Sequence, residues 1–264
     1  MKGNDIFERI ETKYLMDGET CERFRKETAD LIETDRYGDS KILNIYFDND
    51  TYELVRRSME KPVYKEKLRL RTYGIPTDDS PAFIEIKKKY DGIVYKRRVE
   101  LPYREAFDYL TTGWKKNFRP ESIQNSQICR EIDYFLKLYR PEPKFFIGYD
   151  RIATYSREDP DLRLTFDRNL RFRQLGCDLR RGDKGILYDG GKNVLLEIKA
   201  AGAYPLWLSS ILDELKIYPV SFSKYGSIYR QTYQNIPPAS YMNVCNTGCR
   251  CEIPYEMPAQ PVAI

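Results

Sequence analysis

The chain contains no histidine, and that one absence removes Ser-His-Asp and Cys-His catalysis, histidine-ligated zinc and imidazole acid/base chemistry together. Any chemistry must run on carboxylates, lysines, arginines or hydroxyls. No run of about 18 apolar residues occurs, and the opening MKGNDIFERIE lacks the apolar core of an export signal. We therefore expect no transmembrane segment and a cytoplasmic location. The 6 cysteines in 264 residues are too few and too scattered for a disulfide scaffold. Cys21, Cys129 and Cys177 stand alone, while Cys245, Cys249 and Cys251 lie in a proline-rich tail without histidine and are read as incidental. A P-loop is missing too, because Ile186 stands where its first glycine belongs and Asn193 where its Ser or Thr belongs.

What is present is charge, nearly balanced in sum. With 44 basic and 40 acidic residues the net charge is only +4, so placement, not total, must identify a partner. The pattern predicts a strand over Phe7 to Met16, a helix over ETCERFRKETADLIET and a strand over Lys41 to Asp48. A short helix capped by Asp50 or Thr51 follows. PVYKEKLRLRTYG, AFIEIKKKYDG and IVYKRRVELP form an antiparallel meander, and helices from Tyr103 to Gly113 and Ser122 to Leu138 are expected to pack outside it. A second strand group runs through KFFIGYDRIATYSR, DLRLTFDRNLRFR and NVLLEIKAA, with Asp189 to Gly191 as a turn. PLWLSSILDELKIY and SFSKYGSIYRQTYQN read as closing helices. With no repeat or composition break, residues 1 to 235 are expected to form one domain and 236 to 264 a mobile tail.

Side chains alternate across a strand, so residues of one parity share a face. Lys65, Lys67, Arg69 and Arg71 share one, against Leu68 and Leu70; Glu85, Lys87 and Lys89 oppose Ile84 and Ile86. Lys96, Arg98 and Glu100 fall together, as do Arg163, Thr165 and Asp167, Glu197 and Lys199, and Glu11 and Lys13. A sheet with one face in water is the ordinary cause of such alternation. Here bases outnumber acids on most of these strands although the whole chain is near neutral. Closing the sheet with charges inward focuses positive potential in a tunnel suited to polyphosphate. A hard divalent cation, Mg²⁺ or Mn²⁺, needs only one or two carboxylates there when phosphate supplies the other oxygens. Glu197 and Glu11 are the candidates. The 22 tyrosines interleave with bases, but no RNA-binding motif appears and no nucleic-acid partner is expected.

FERIETKYLM, KLRLRTYG, FIEIKKK, RLTFDRNL, LLEIK and FSKYG, in this order over residues 7 to 226, resemble the polyphosphate polymerase domain of the vacuolar transporter chaperone (VTC) family. That family lies within the triphosphate tunnel metalloenzymes. The resemblance implies an α+β fold with a closed antiparallel β-tunnel and helices packed outside. It also implies transfer of the ATP γ-phosphate to a growing inorganic polyphosphate chain with Mn²⁺ or Mg²⁺. On matching positions it implies a catalytic, phosphate-binding set of Lys13, Arg69, Arg71, Lys87, Arg163 and Lys224, with a hydroxyl from Ser223 and Glu197 as metal ligand. Lys96 or Arg98 would extend the basic track, and Lys67, Lys89 and Lys199 join the phosphate-binding lining. A separate membrane channel subunit is an implied partner. Two positions depart from the pattern. Arg9 replaces the first Glu of Glu-x-Glu-x-Lys, which disfavours a tunnel triphosphatase, and Ser221 stands where the polymerase branch tends to carry Lys. A non-catalytic polyphosphate or nucleotide sensor is the remaining alternative.

Overall fold

The structure is a computed structural model that describes residues 10–113 and 123–234. Phe7 to Arg9, Ser122, the expected tail from residue 236 and its three cysteines lie outside the described residues. Within them the alternating segments form one antiparallel sheet of nine strands. These are β1 (Ile10–Asp17), β2 (Ile32–Asp48), β3 (Tyr64–Tyr73), β4 (Pro81–Tyr90), β5 (Ile93–Pro102), β6 (Glu142–Ser156), β7 (Arg163–Arg173), β8 (Ile186–Leu187) and β9 (Asn193–Ala200). The helices are α1 (Gly18–Glu27), α2 (Glu53–Met59), α3 (Tyr103–Thr112), α4 (Ile123–Tyr139), α5 (Leu206–Glu214) and α6 (Lys224–Tyr233). No helix among the described residues is long and apolar enough to cross a membrane.

The strands run β1-β9-β7-β6-β2-β3-β4-β5, with β8 attached to β7. The expected closed ring is not what forms: β1 and β5 end the order, and among the described residues no backbone ladder joins them. The free edge of β1 is already occupied. Val220 N donates to Lys13 O at 2.7 Å and Tyr14 bridges Pro219, so the run into α6 takes the donors and acceptors that would have met β5.

Alternation puts apolar residues on the outer face, where two cores form. Leu43, Ile45, Leu68, Leu70, Ile84 and Ile86 receive α3 and α4 through Tyr103, Ala106, Tyr109, Ile132 and Phe135. Leu164, Phe166, Leu196 and Ile198 receive α1 and α5 through Phe24, Leu208 and Leu212. Each fully buried large apolar side chain contributes about 1.5–3 kcal/mol, which fixes the sheet faces firmly.

The expectation that helices pack outside fails at α6. Tyr225, Ile228 and Tyr229 pack on Tyr46, Phe145, Ile147 and Tyr149, which have the same parity as the charged residues. The inner face is therefore half apolar plug and half charged site, and α6 carries Lys224 into it. Two boundaries also differ. Strand β2 begins at Ile32 because Ile32 to Thr34 pair with β6, shortening the expected first helix. Helix α2 starts after Tyr52; its first amide, Glu53 N, donates to Asn49 Oδ1 and the next two, Leu54 N and Val55 N, donate to the Asp48 carboxylate, all at 3.0 Å, and not to Asp50 or Thr51.

Candidate phosphate site

Strand register gathers the inner-face charges into rows. Lys67 stands opposite Lys87, itself opposite Lys96; Arg69 opposes Glu85, itself opposite Arg98. On the other side of the sheet Lys13 faces Glu197, and Glu11 faces Lys199, itself opposite Arg163.

Two anchored centres result. In one, Lys224 at the first turn of α6 places Nζ 2.6 Å from Asp167 Oδ2 and 3.0 Å from Glu197 Oε1. Arg151 from β6 grips Asp167 with Nε at 2.5 Å and its second nitrogen at 2.7 Å, and reaches Glu197 Oε2 at 3.6 Å. Burial opposes charge on Glu197, yet Lys224, Lys13 and Arg151 outweigh it and hold the carboxyl well below its ordinary value. Burial likewise opposes charge on Lys224, and Asp167 with Glu197 overcomes it, raising that ammonium above its ordinary value.

The second centre is Glu85, 2% exposed, which receives Arg69 Nε at 2.6 Å, Lys96 Nζ at 2.7 Å and Arg71 Nε at 3.7 Å. Burial works against its charge, but these three cations bring its pKa down to about 2. One carboxylate thus orients three cations while neutralising one. Asn44 Oδ1 and Tyr149 Oη complete the hold on Arg71 at 3.0 and 3.1 Å, and Tyr46 Oη takes Arg69 at 3.1 Å.

Between the centres, Lys67 donates to Ser223 Oγ at 2.9 Å. Ser223 is the N-cap of α6 and also accepts from Gly226 N at 3.2 Å, so both lone pairs are used and its proton is free for an anion. Among the described residues no carboxylate lies within ion-pair distance of Lys67 or Lys87. Burial, then Lys65, Lys87, Lys13 and Arg69, lower the Lys67 pKa to about 7. Burial also lowers Lys87, whose charge in turn helps to hold Glu11, on the far edge of the sheet, near 2 against its own burial. The two halves of the inner face therefore meet through space although their backbones do not pair.

A family model described as VTC domain matches residues 8–233. The chain belongs to the VTC domain family. Vacuolar transporter chaperone complex subunit 4 of Schizosaccharomyces pombe is 24% identical over 226 residues, covering 71% of this chain, which spans 31% of that relative. A candidate adenylate cyclase from Bacillus halodurans superposes with a TM-score of 0.50 at 16% identity, covering 81% of this chain and 93% of the other. A candidate adenylyl cyclase from Hippeastrum, described as having a dominant triphosphatase activity, gives 0.50 at 15% identity over 84% and 96%. At these identities the likeness is one of fold alone.

In this VTC domain most sequence-predicted residues converge: Lys13, Lys67, Arg69, Arg71, Lys87, Lys96, Glu11, Glu197, Ser223 and Lys224. The remainder sit at the margins. Arg163 is exposed and has no ion pair among the described residues, Lys199 reaches Glu11 only at 3.7 Å, Lys89 pairs in register with Lys65, and Arg98 lies over the Phe83 ring at 4.5 Å. Sequence reasoning missed Arg151 altogether and left Asp167 and Glu85 without a role. Asp167 and Glu85 carried a signal, since each shares parity with predicted bases. Arg151 follows Phe145, Ile147 and Tyr149 on its face, so its strand reads as apolar until α6 is known to cover that stretch.

Proposed function

We propose that this domain is a polyphosphate polymerase that transfers the γ-phosphate of ATP to the end of an inorganic polyphosphate chain. The observation that carries the proposal is the line of Lys67, Lys87, Arg69, Arg71, Lys96 and Lys13 on one inner face, with no carboxylate among the described residues in ion-pair reach of Lys67 or Lys87. Such a site is matched to a ligand that brings several negative charges. Membership of the VTC family and similarity to a chaperone complex subunit support the polymerase outcome. Similarity to a complex subunit also supports work beside partner subunits, and a separate membrane channel is the partner we propose.

Phosphoryl transfer asks little of general-base chemistry and much of positioning and charge neutralisation. The terminal oxygen of the chain attacks the γ-phosphorus, a new P–O bond forms, the bond to the bridging oxygen breaks, and ADP leaves with its electron pair. Arg69 and Arg71, fixed by Glu85, Asn44 and two tyrosines, offer planar donors to non-bridging oxygens. Lys13, Lys67, Lys87 and Lys224 offset repulsion between the two anions, and Ser223 adds an O–H donor.

The donor set fits a hard divalent cation in part. Glu11 and Glu197 lie on adjacent strands of one face, diagonal to each other in the register. Among the described residues no three acidic, histidine or cysteine side chains gather into a metal cluster. Glu197 and Glu11 would therefore hold Mn²⁺ or Mg²⁺ only with phosphate and water oxygens completing the shell. When bound, the cation supplies further screening of phosphate charge.

Incubating the purified protein with ATP and Mn²⁺ and resolving products by chain length tests the proposal. Polymer supports it. Orthophosphate alone would assign the domain to triphosphate hydrolysis, and binding of polyphosphate without turnover would leave a sensor.

A further inference from the structure

The phosphate-binding strands do not end at their last base. Parity carries the inner face of β3 from Arg69 and Arg71 to Tyr73, and that of β4 back from Lys87 and Glu85 to Phe83. Arg71 opposes Phe83 in the register, so Tyr73 and Phe83 are diagonal neighbours, with ring centroids 5.7 Å apart at 78°. From β5, Arg98 covers Phe83 with its guanidinium 4.5 Å from the ring centre. Phe83 is buried by this arrangement, while Tyr73 is 55% exposed. Ile75, also exposed, lies just beyond the end of β3. Tyr73 therefore presents an aromatic ring, held by Phe83, that is open to solvent at the end of a line of cations.

We propose that Tyr73, backed by Phe83 and Arg98, is the shelf on which a purine base of a bound nucleoside triphosphate stacks. This rests on the reading of the inner face as a phosphate site, and it names which end of that site receives the nucleoside. Residues two apart on a strand are separated by about 7 Å. That step from Arg71 to Tyr73 matches the ribose that separates a base from its α-phosphate. Base stacking on an aromatic ring requires only a π face, and an adjacent guanidinium strengthens it. Stacking reads the π face and not the base edge, so the shelf selects purine nucleotides as a class over a bare triphosphate.

The test is calorimetric titration of the full chain and its Tyr73→Ala variant with ATP, GTP and inorganic tripolyphosphate at fixed salt. Tyr73→Ala is expected to weaken ATP and GTP by about tenfold, within the range of base–aromatic stacking, and to leave tripolyphosphate within about twofold of the parent. Tyr73→Phe should restore nucleotide affinity, because the ring and not the hydroxyl carries the contact. Unchanged ATP affinity in Tyr73→Ala would overturn the shelf, and so would an equal loss for ATP and tripolyphosphate. A parent protein that binds no tripolyphosphate would instead overturn the phosphate site itself, which separates the two failures.

Discussion

Lys224 sets its ammonium 2.6 Å from the Asp167 carboxylate, joining the first turn of α6 to the middle of β7 inside the sheet. Both side chains are almost wholly withdrawn from solvent, at 9% and 1% exposure. Removing one partner of such a pair strands a buried charge, at a cost of about 3–5 kcal/mol. Lys224→Met should therefore lower unfolding stability by about 3 kcal/mol in a denaturant titration, and Lys224→Met combined with Asp167→Asn should recover part of it. An unchanged midpoint in the single variant would show that the pair does not anchor α6.

Ser223 carries two loads, capping α6 and receiving Lys67. Ser223→Ala is expected to cost about 1 kcal/mol of stability, as N-cap truncations do. It should also weaken tripolyphosphate binding. Ser223→Thr keeps the hydroxyl and should restore both. A loss of stability alone would confine Ser223 to capping.

Lys67 gives the site a pH dependence with a defined sign. In the folded protein burial brings its pKa to about 7, against an ordinary 10.5 that the unfolded chain retains. Between those values unfolding takes up a proton, so this residue makes stability rise with pH there. Binding runs the other way. A bound polyanion draws Lys67 back to its charged form, so above pH 7 complex formation takes up a proton and affinity falls as pH rises. Tripolyphosphate titrations at pH 8 in buffers of different ionisation enthalpy should report that uptake in the parent and lose it in Lys67→Met. Equal proton uptake in the two proteins would remove Lys67 as the cause.

Glu197→Gln should abolish metal-dependent turnover while polyphosphate binding falls less, because Lys224 and the remaining cations persist. Arg69→Ala should weaken nucleotide binding itself by about tenfold, the scale of one charge-assisted contact. Turnover by Glu197→Gln equal to the parent would sink the metal assignment.

The charged faces of β3, β4 and β5 were legible because strict alternation leaves no other way to bury Leu68, Leu70, Ile84 and Ile86. What alternation cannot supply is closure. The gap between β1 and β5 depends on Val220 and Pro219 reaching β1 from a segment more than 200 residues along the chain from it. The same segment brings in α6, whose apolar residues carry helical spacing but no mark of which side of a sheet they will cover. Arg151 was lost for that reason. Its function as the clamp on Asp167 emerges only when Tyr149 and Lys224 are seen stacked at 4.6 Å on the inner face. Asp48 hid in another way, since a carboxylate at a strand end reads as a turn residue until it is found capping α2 and accepting the Tyr225 hydroxyl at 2.9 Å.

As a polymerase, this inner face would pass phosphate to phosphate and not to water. Incubation with γ-labelled ATP and Mn²⁺, followed by gel separation of the products over time, measures that choice directly. Label is expected in chains that lengthen with time, with ADP released in proportion. Label found only in orthophosphate, with no chain at any time point, would contradict it.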